Sequence, residues 1–301
     1  MKRVLIPTDF SRNAWNAISY ACQLFRNERC RFILLNTYTP SIPSNRFMAP
    51  MVNGMLIEDA VRHTSEVGLE KTLEQIEKAF PNANHEFVTQ SSFSLLVDAV
   101  QEIVDQEEID LIVTGTKGAS GMDEVFMGSN TVRIIKSSRK CPVLAVPQHF
   151  DFIQPGEIAF ATDFNRFYTQ SELAPLLELA QSFKATVRIV HVQYGIQPLS
   201  EVQQFNLKML LKYMEPVEHY VHTVSELHSV SQTLEVFTHQ LGIHLLALLN
   251  YQHSYVERFT REPIVKRTAF HTQIPLLVIP ELGMEIRSTG SKEQSQEFSK
   301  V

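Results

Sequence analysis

The chain carries an internal repeat, and that repeat leaves few folds open to it. "VLIPTDF" at Val4 to Phe10 is echoed by "IAFATDF" at Ile158 to Phe164, and "CPVLAVP" at Cys141 to Pro147 by "IPLLVIP" at Ile274 to Pro280. Both members of the first pair open a half of the chain, and both members of the second close one. Two copies of a unit of about 120 to 150 residues therefore fit better than one large domain. The expected domains are residues 1–148 and 155–283, joined by the polar "QHFDFIQPGE" with its Pro-Gly turn signal. Residues 284–301 are low in apolar content and read as a mobile tail.

Within each copy, aliphatic runs alternate with helical periodicity. In the first, "RVLIPT", "RFILLNTY", "HEFVTQ", "DLIVTG" and "PVLAVP" read as strands. Between them, residues 13–25, 57–80, 95–106 and 130–138 read as helices. The second copy offers "TVRIVHVQ", "HYVHTV" and "IHLLALLN" as middle strands. Near-continuous aliphatic strands separated by helices argue for a parallel sheet covered on both faces. The predicted fold class is α/β: two tandem, doubly wound, five-stranded parallel-sheet domains.

Composition narrows the function classes. A formal net charge of −6 gives no electrostatic reason to bind nucleic acid or an anionic membrane surface. No apolar run approaches the roughly 20 residues of a transmembrane helix, and "MKRVLIPTDFS" is too short in its apolar stretch for a signal peptide. Cys22, Cys30 and Cys141 are odd in number and lack ligand-like spacing, so a reducing cytoplasm is expected. His219, His222 and His228 lie close in sequence, but on a strand the first two face opposite sides, which argues against a metal set.

The most unusual stretch is "TGTKGASGMDEVFMGSNTV", Thr114 to Val132, with glycines at 115, 118, 121 and 128. It comes after a strand and leads into a helix. Open α/β sheets bind ligands beyond the carboxyl ends of their strands, where the strand order reverses. A glycine loop there offers backbone N–H groups that phosphate oxygens can approach because no Cβ intervenes. Gly128 and Ser129 open a helix, whose N-terminus adds further N–H groups, and Ser129 and Thr131 add hydroxyls. Asp9, after the first strand, supplies a carboxylate for sugar hydroxyls or an adenine amino group. The stretch is neither a Walker A loop nor a dinucleotide fingerprint.

Gly115, Gly118, Gly128 and Ser129 form G-x2-G-x9-G-S, which resembles the nucleotide-binding motif of the universal stress protein family. "VLIPTDFSRNAWNAISYACQLF" resembles that family's first strand and helix, and "CPVLAVP" its last strand. The resemblance covers residues 1 to about 148 and extends more faintly to the second half, as in a tandem member. It implies a Rossmann-like, adenine nucleotide alpha hydrolase-like fold that binds ATP, with a divalent metal such as Mg on the phosphates. Carried over position by position, the nucleoside contacts fall on Pro7, Thr8 and Asp9, with a backbone contact near Thr37. The loop contacts fall on Thr114, Gly115 and Gly118, and the phosphate contacts on Gly128, Ser129, Asn130 and Thr131. Members of the family commonly pair through their last strands. In a tandem chain that pairing would be internal, making a pseudo-dimer, with a homodimer left open. The insertion at 39–54, rich in Pro and Met, departs from shorter members and reads as a lid or an interaction surface.

The second half does not repeat the glycines. An ungapped count from Pro275 opposite Pro142 puts Arg261 at the place of Gly128 and Glu262 at that of Ser129. Tyr251 and its neighbours put side chains where phosphate would approach, although Asp163 repeats Asp9. A second nucleotide site is therefore not expected; Arg258, Arg261 and Lys266 leave another anion open. The reading is an ATP-binding sensor or regulator of stress response, with an unknown protein partner. A slow Mg-dependent ATPase and a scaffold with permanently bound nucleotide are the alternatives. No catalytic residues are assigned, because only Lys117 supplies fixed positive charge in the loop and Asp123 and Glu124 fit a solvated turn equally well.

Overall fold

The computed structural model describes residues 1–39, 51–52, 55–116, 127–195, 197–251 and 273–282. The first half runs β1 (Lys2–Pro7), α1 (Arg12–Leu24), β2 (Cys30–Tyr38), β3 (Met51–Val52), β4 (Met55–Leu56) and α2 (Ile57–Ala79). It continues through β5 (His85–Phe93), α3 (Leu96–Glu107), β6 (Leu111–Gly115), α4 (Ser129–Ser137) and β7 (Val143–Val146). The second half comprises β8 (Glu157–Ala161), α5 (Gln170–Phe183), β9 (Thr186–Gln193), α6 (Glu201–Met214), β10 (His219–Ser225), α7 (Val230–Gln240), β11 (Leu245–Asn250) and β12 (Leu276–Pro280).

The strands other than β3 and β4 form one 10-stranded sheet, ordered β5-β2-β1-β6-β7-β12-β11-β8-β9-β10. Read outward from the middle, β7-β6-β1-β2-β5 and β12-β11-β8-β9-β10 are the same topology twice. Neighbours within each half are parallel. At the seam β12 runs antiparallel to β7, with Leu277 opposite Leu144. The last strands of the two halves thus meet inside one chain.

The aliphatic runs form central strands because both faces of the sheet are covered. On one face Ile6, Leu34, Val113, Leu144, Phe160, Ile189, Ala247 and Leu277 pack with α1, α2, α5 and α6. On the other, Leu5, Ile33, Ile112, Val143, Ala159, Val190, Leu246 and Leu276 pack with α3, α4 and α7. Each core runs across the seam, so successive residues of one strand serve two cores.

Helix starts depend on local chemistry. Ser11 caps α1 by accepting from Ala14 N, while Thr169–Glu172 and Ser200–Gln203 are reciprocal capping boxes on α5 and α6. β5 continues past the predicted Gln90 to Phe93, pairing Ser91 and Ser92 with Asn36 and Thr37 of β2. The polar serines hid this extension, which the Ser65–Ser91 hydroxyl contact of 2.8 Å ties to α2. The join, read as a polar linker, is anchored: Asn16 Nδ2 donates to Pro147 O at 2.7 Å and Phe150 O at 3.1 Å. Phe152 meets the Tyr20 ring edge-on at 5.2 Å. Of the 39–54 insertion, Thr39 and the β3 residues 51–52 are described, and the 284–301 tail lies outside the described residues.

Candidate functional site

β1 lies between β2 and β6, so the strand order reverses at β1. Its carboxyl end carries Pro7, Thr8 and Asp9 beside the end of β6 with Thr114 and Gly115. The chain turns sharply here. Thr8 N donates to Leu35 O at 2.8 Å, and Thr8 O accepts from Asn36 Nδ2 at 2.7 Å. Thr8 Oγ1 accepts from Phe10 N at 3.1 Å, and Asp9 Oδ1 from Ser11 N at 3.1 Å. Phe10 takes a left-handed conformation with φ 63°, uncommon for a bulky residue. Pro7 and Thr8 are buried by these contacts, while Asp9 is held exposed.

The Phe10 ring lies against α2 at Gly68, where an added Cβ would come within 2.5 Å of it. A glycine inside a helix costs about 1 kcal/mol, and this close approach gives it a reason. Phe10 also borders an open groove of about 450 Å³ with Ser11, Arg12, Trp15, Gln75 and Lys78.

On the β6 side, Gly128 N donates to Thr116 O at 2.5 Å and Thr131 Oγ1 to Gly115 O at 2.7 Å. These two bonds hold the start of α4 against the end of β6. Gly128 is the N-cap and supplies no side-chain bond to the first turn, and Ser129 and Asn130 are exposed. Thr131 is buried, so its hydroxyl serves the helix–strand junction. Gly115 has a packing role that the sequence did not reveal: a Cβ there would fall 2.5 Å from Asn13 Nδ2 of α1. Thr37 is half-buried in β2, on the far side of β1 from Gly115. Gly118, Lys117, Asp123 and Glu124 lie outside the described residues.

The second half builds the same turn. Thr162 N donates to Val190 O at 3.0 Å, Thr162 Oγ1 accepts from Phe164 N at 3.1 Å, and Asp163 Oδ1 accepts from Asn165 N at 3.0 Å. Phe164 is left-handed, with φ 57°. The surroundings differ. His191 takes the place of Asn36, with Nδ1 3.0 Å from Thr162 O, and its ring stacks on Phe164 at 4.9 Å. Phe164 is 0% exposed, whereas Phe10 is 41% exposed. Tyr251, the first residue after β11, donates its hydroxyl to Asp163 Oδ1. In register Leu249, buried, stands where Gly115 stands. The counterparts assigned to Gly128 and Ser129, Arg261 and Glu262, lie outside the described residues, as do Arg258 and Lys266. The Asn36–His191 correspondence was the element sequence reading missed; its signal was a polar residue inside an aliphatic strand in each copy.

Among the described residues no group of His, Cys, Asp or Glu could hold a metal ion, and no helix is long and apolar enough to cross a membrane. His222 packs its ring edge-on against Phe237 at 5.3 Å instead of joining His219. All three cysteines are buried and free. Burial pushes the thiols of Cys22 and Cys30 up to about 12, and that of Cys141 upward as well, away from the nucleophilic thiolate.

Residues 1–147 match the model of the universal stress protein family. A universal stress protein of Synechocystis sp. is 29% identical over 146 residues, 48% of this chain and 85% of its own. One from Methanocaldococcus jannaschii is 24% identical over 153 residues, 48% of this chain and 94% of its own. The solved universal stress protein from Archaeoglobus fulgidus is similar over 93% of this chain and 96% of its own, with a TM-score of 0.62 at 15% identity. A functionally unknown protein from Pseudomonas aeruginosa covers 94% and 93%, with a TM-score of 0.55 at 11% identity. At these identities the likeness shows a shared fold, and it runs through both halves.

Proposed function

We propose, on the premise that residues 1–147 belong to the universal stress protein family, that the first half binds ATP in the crevice between the ends of β1 and β6. The chain would then act as a nucleotide-dependent sensor or regulator in stress response. The observation that carries this reading is the contrast at the two turns: Asp9 stands exposed at a strand-order reversal, whereas its repeat, Asp163, is half-buried and meets the Tyr251 hydroxyl.

In this reading Asp9 accepts hydrogen bonds from the nucleoside, while Pro7, Thr8 and the backbone near Thr37 form the wall around it. Thr114 and Gly115 form the floor, and Gly118 brings bare backbone toward the phosphates. The first-turn N–H groups of α4, at Ser129, Asn130 and Thr131, point out of the helix start and favour an anion. Gly128 leaves that approach free of a side chain. Thr131 keeps α4 in place through Gly115 O. A Mg ion fits as a companion of the phosphates, held by their oxygens and water, as is usual for this ion. The second half takes no nucleotide.

Calorimetric titration of nucleotide-stripped protein with Mg-ATP tests the proposal. One site per chain, lost in Gly118→Val, is expected. Two sites, or none in folded protein, would overturn it.

A further inference from the structure

Asp163 repeats Asp9, and it is Tyr251 that meets it. We infer that Tyr251 is an internal ligand: the second half closes its own crevice by placing a phenolic hydroxyl on the carboxylate that in the first half faces a ligand hydroxyl. The likening to a ligand rests on the proposed nucleotide reading; the closure itself does not.

The contact spans 88 residues and is clamped from several sides. The Arg166 guanidinium lies 5.3 Å from the Tyr251 ring centre, over its face. Arg166 is fixed in turn by Glu172 at 2.7 Å and by Glu281, just beyond β12, at 3.3 Å. Glu172 is fully buried and also accepts from Leu282 N at 3.1 Å and Thr169 N at 2.9 Å. From the other side α6 reaches the turn itself. Gln203 Nε2 donates to Asp163 O at 2.9 Å, and Asn206 Nδ2 to Phe164 O at 2.8 Å.

Residues from α5, α6, the end of β11 and the end of β12 thus converge on one Thr-Asp-Phe turn. A turn secured in this way needs nothing from solution to order it. The chain therefore responds to a crevice ligand through its first half alone, while the second half stays in a closed form.

Backbone amide exchange on the full chain, free of nucleotide, tests this at residues 162–166 against residues 8–12. Tyr251→Phe removes the hydroxyl and keeps the ring. It should speed exchange at 162–166 by roughly tenfold, the loss of one hydrogen bond to a charged group, and leave 8–12 unchanged. Mg-ATP added to the unaltered chain should not slow 162–166. Unchanged exchange there in folded Tyr251→Phe, or slowing there on adding Mg-ATP, would overturn the inference. Should Tyr251→Phe not fold, Arg166→Lys carries the same test through loss of the guanidinium fork. Failure of Mg-ATP to slow residues 8–12 counts against the nucleotide reading and not against the closure.

Discussion

At Thr8-Asp9-Phe10 the carboxylate is exposed and the aromatic ring half-open; at Thr162-Asp163-Phe164 the same backbone turn is covered by Tyr251, Arg166 and α6. Both turns use a threonine hydroxyl to accept from the phenylalanine N–H and an aspartate to accept two residues on. Three residues therefore dictate the turn, and they do not dictate its use. What differs is the end of the neighbouring strand: Gly115 and a glycine-rich stretch in one half, Leu249, Asn250 and Tyr251 in the other. In the proposed reading, the same scaffold holds a ligand in one half and replaces it with its own side chains in the other.

The comparison can be broken most forcefully at Glu172. Its carboxylate is buried against Arg166. Removing it leaves the Arg166 guanidinium with Glu281 alone and the Thr169 and Leu282 N–H groups without their acceptor, so Glu172→Ala should cost about 3–5 kcal/mol in urea unfolding. Affinity for Mg-ATP should stay near that of the parent. A cost below about 1 kcal/mol would mean that the network does not hold the second half closed.

At the register position where the halves differ most sharply, opposite substitutions should hurt each half. Leu249→Ala empties a buried site and should cost about 2–5 kcal/mol. Gly115→Val drives a side chain into Asn13 and should cost about 1–3 kcal/mol while also weakening Mg-ATP binding. If Gly115→Val is neutral in both readouts, this glycine serves neither packing nor phosphate.

The finest distinction lies between the two aspartates. Asp9→Asn should weaken Mg-ATP binding about tenfold, or about 1.4 kcal/mol, with stability within about 0.5 kcal/mol of the parent. Asp163→Asn should do the reverse, leaving ATP affinity intact and lowering stability by about 1 kcal/mol. Equal behaviour of the two variants would erase the difference between the exposed and the half-buried carboxylate.

Much of this was legible beforehand. The Thr-Asp-Phe echo marked where each half begins, and the aliphatic runs located the central strands to within a few residues because these are buried on both faces. The adjacency of β1 and β6 was implied by the family resemblance, and two polar clusters at their ends were consistent with it. Tyr251 was legible as an obstacle after β11, but not as the partner of Asp163. Gly115 was legible as bare backbone for a ligand, but not as the residue that makes room for Asn13. Gly68 gave no signal beyond being a glycine in a helical pattern; the reason for it is the Phe10 ring packed against it.

The sequence by itself determined what depends on neighbours along the chain: strand and helix periodicity, the serine and threonine caps, the duplicated turn and the absence of the glycine loop from the second half. Only the tertiary structure decided which distant groups meet. The antiparallel register of β12 against β7, the packing of Asn13 under Gly115 and the reach of Tyr251 to Asp163 join residues far apart in sequence. Such contacts depend on register and on how strand ends converge across a sheet, and local chemistry does not encode either.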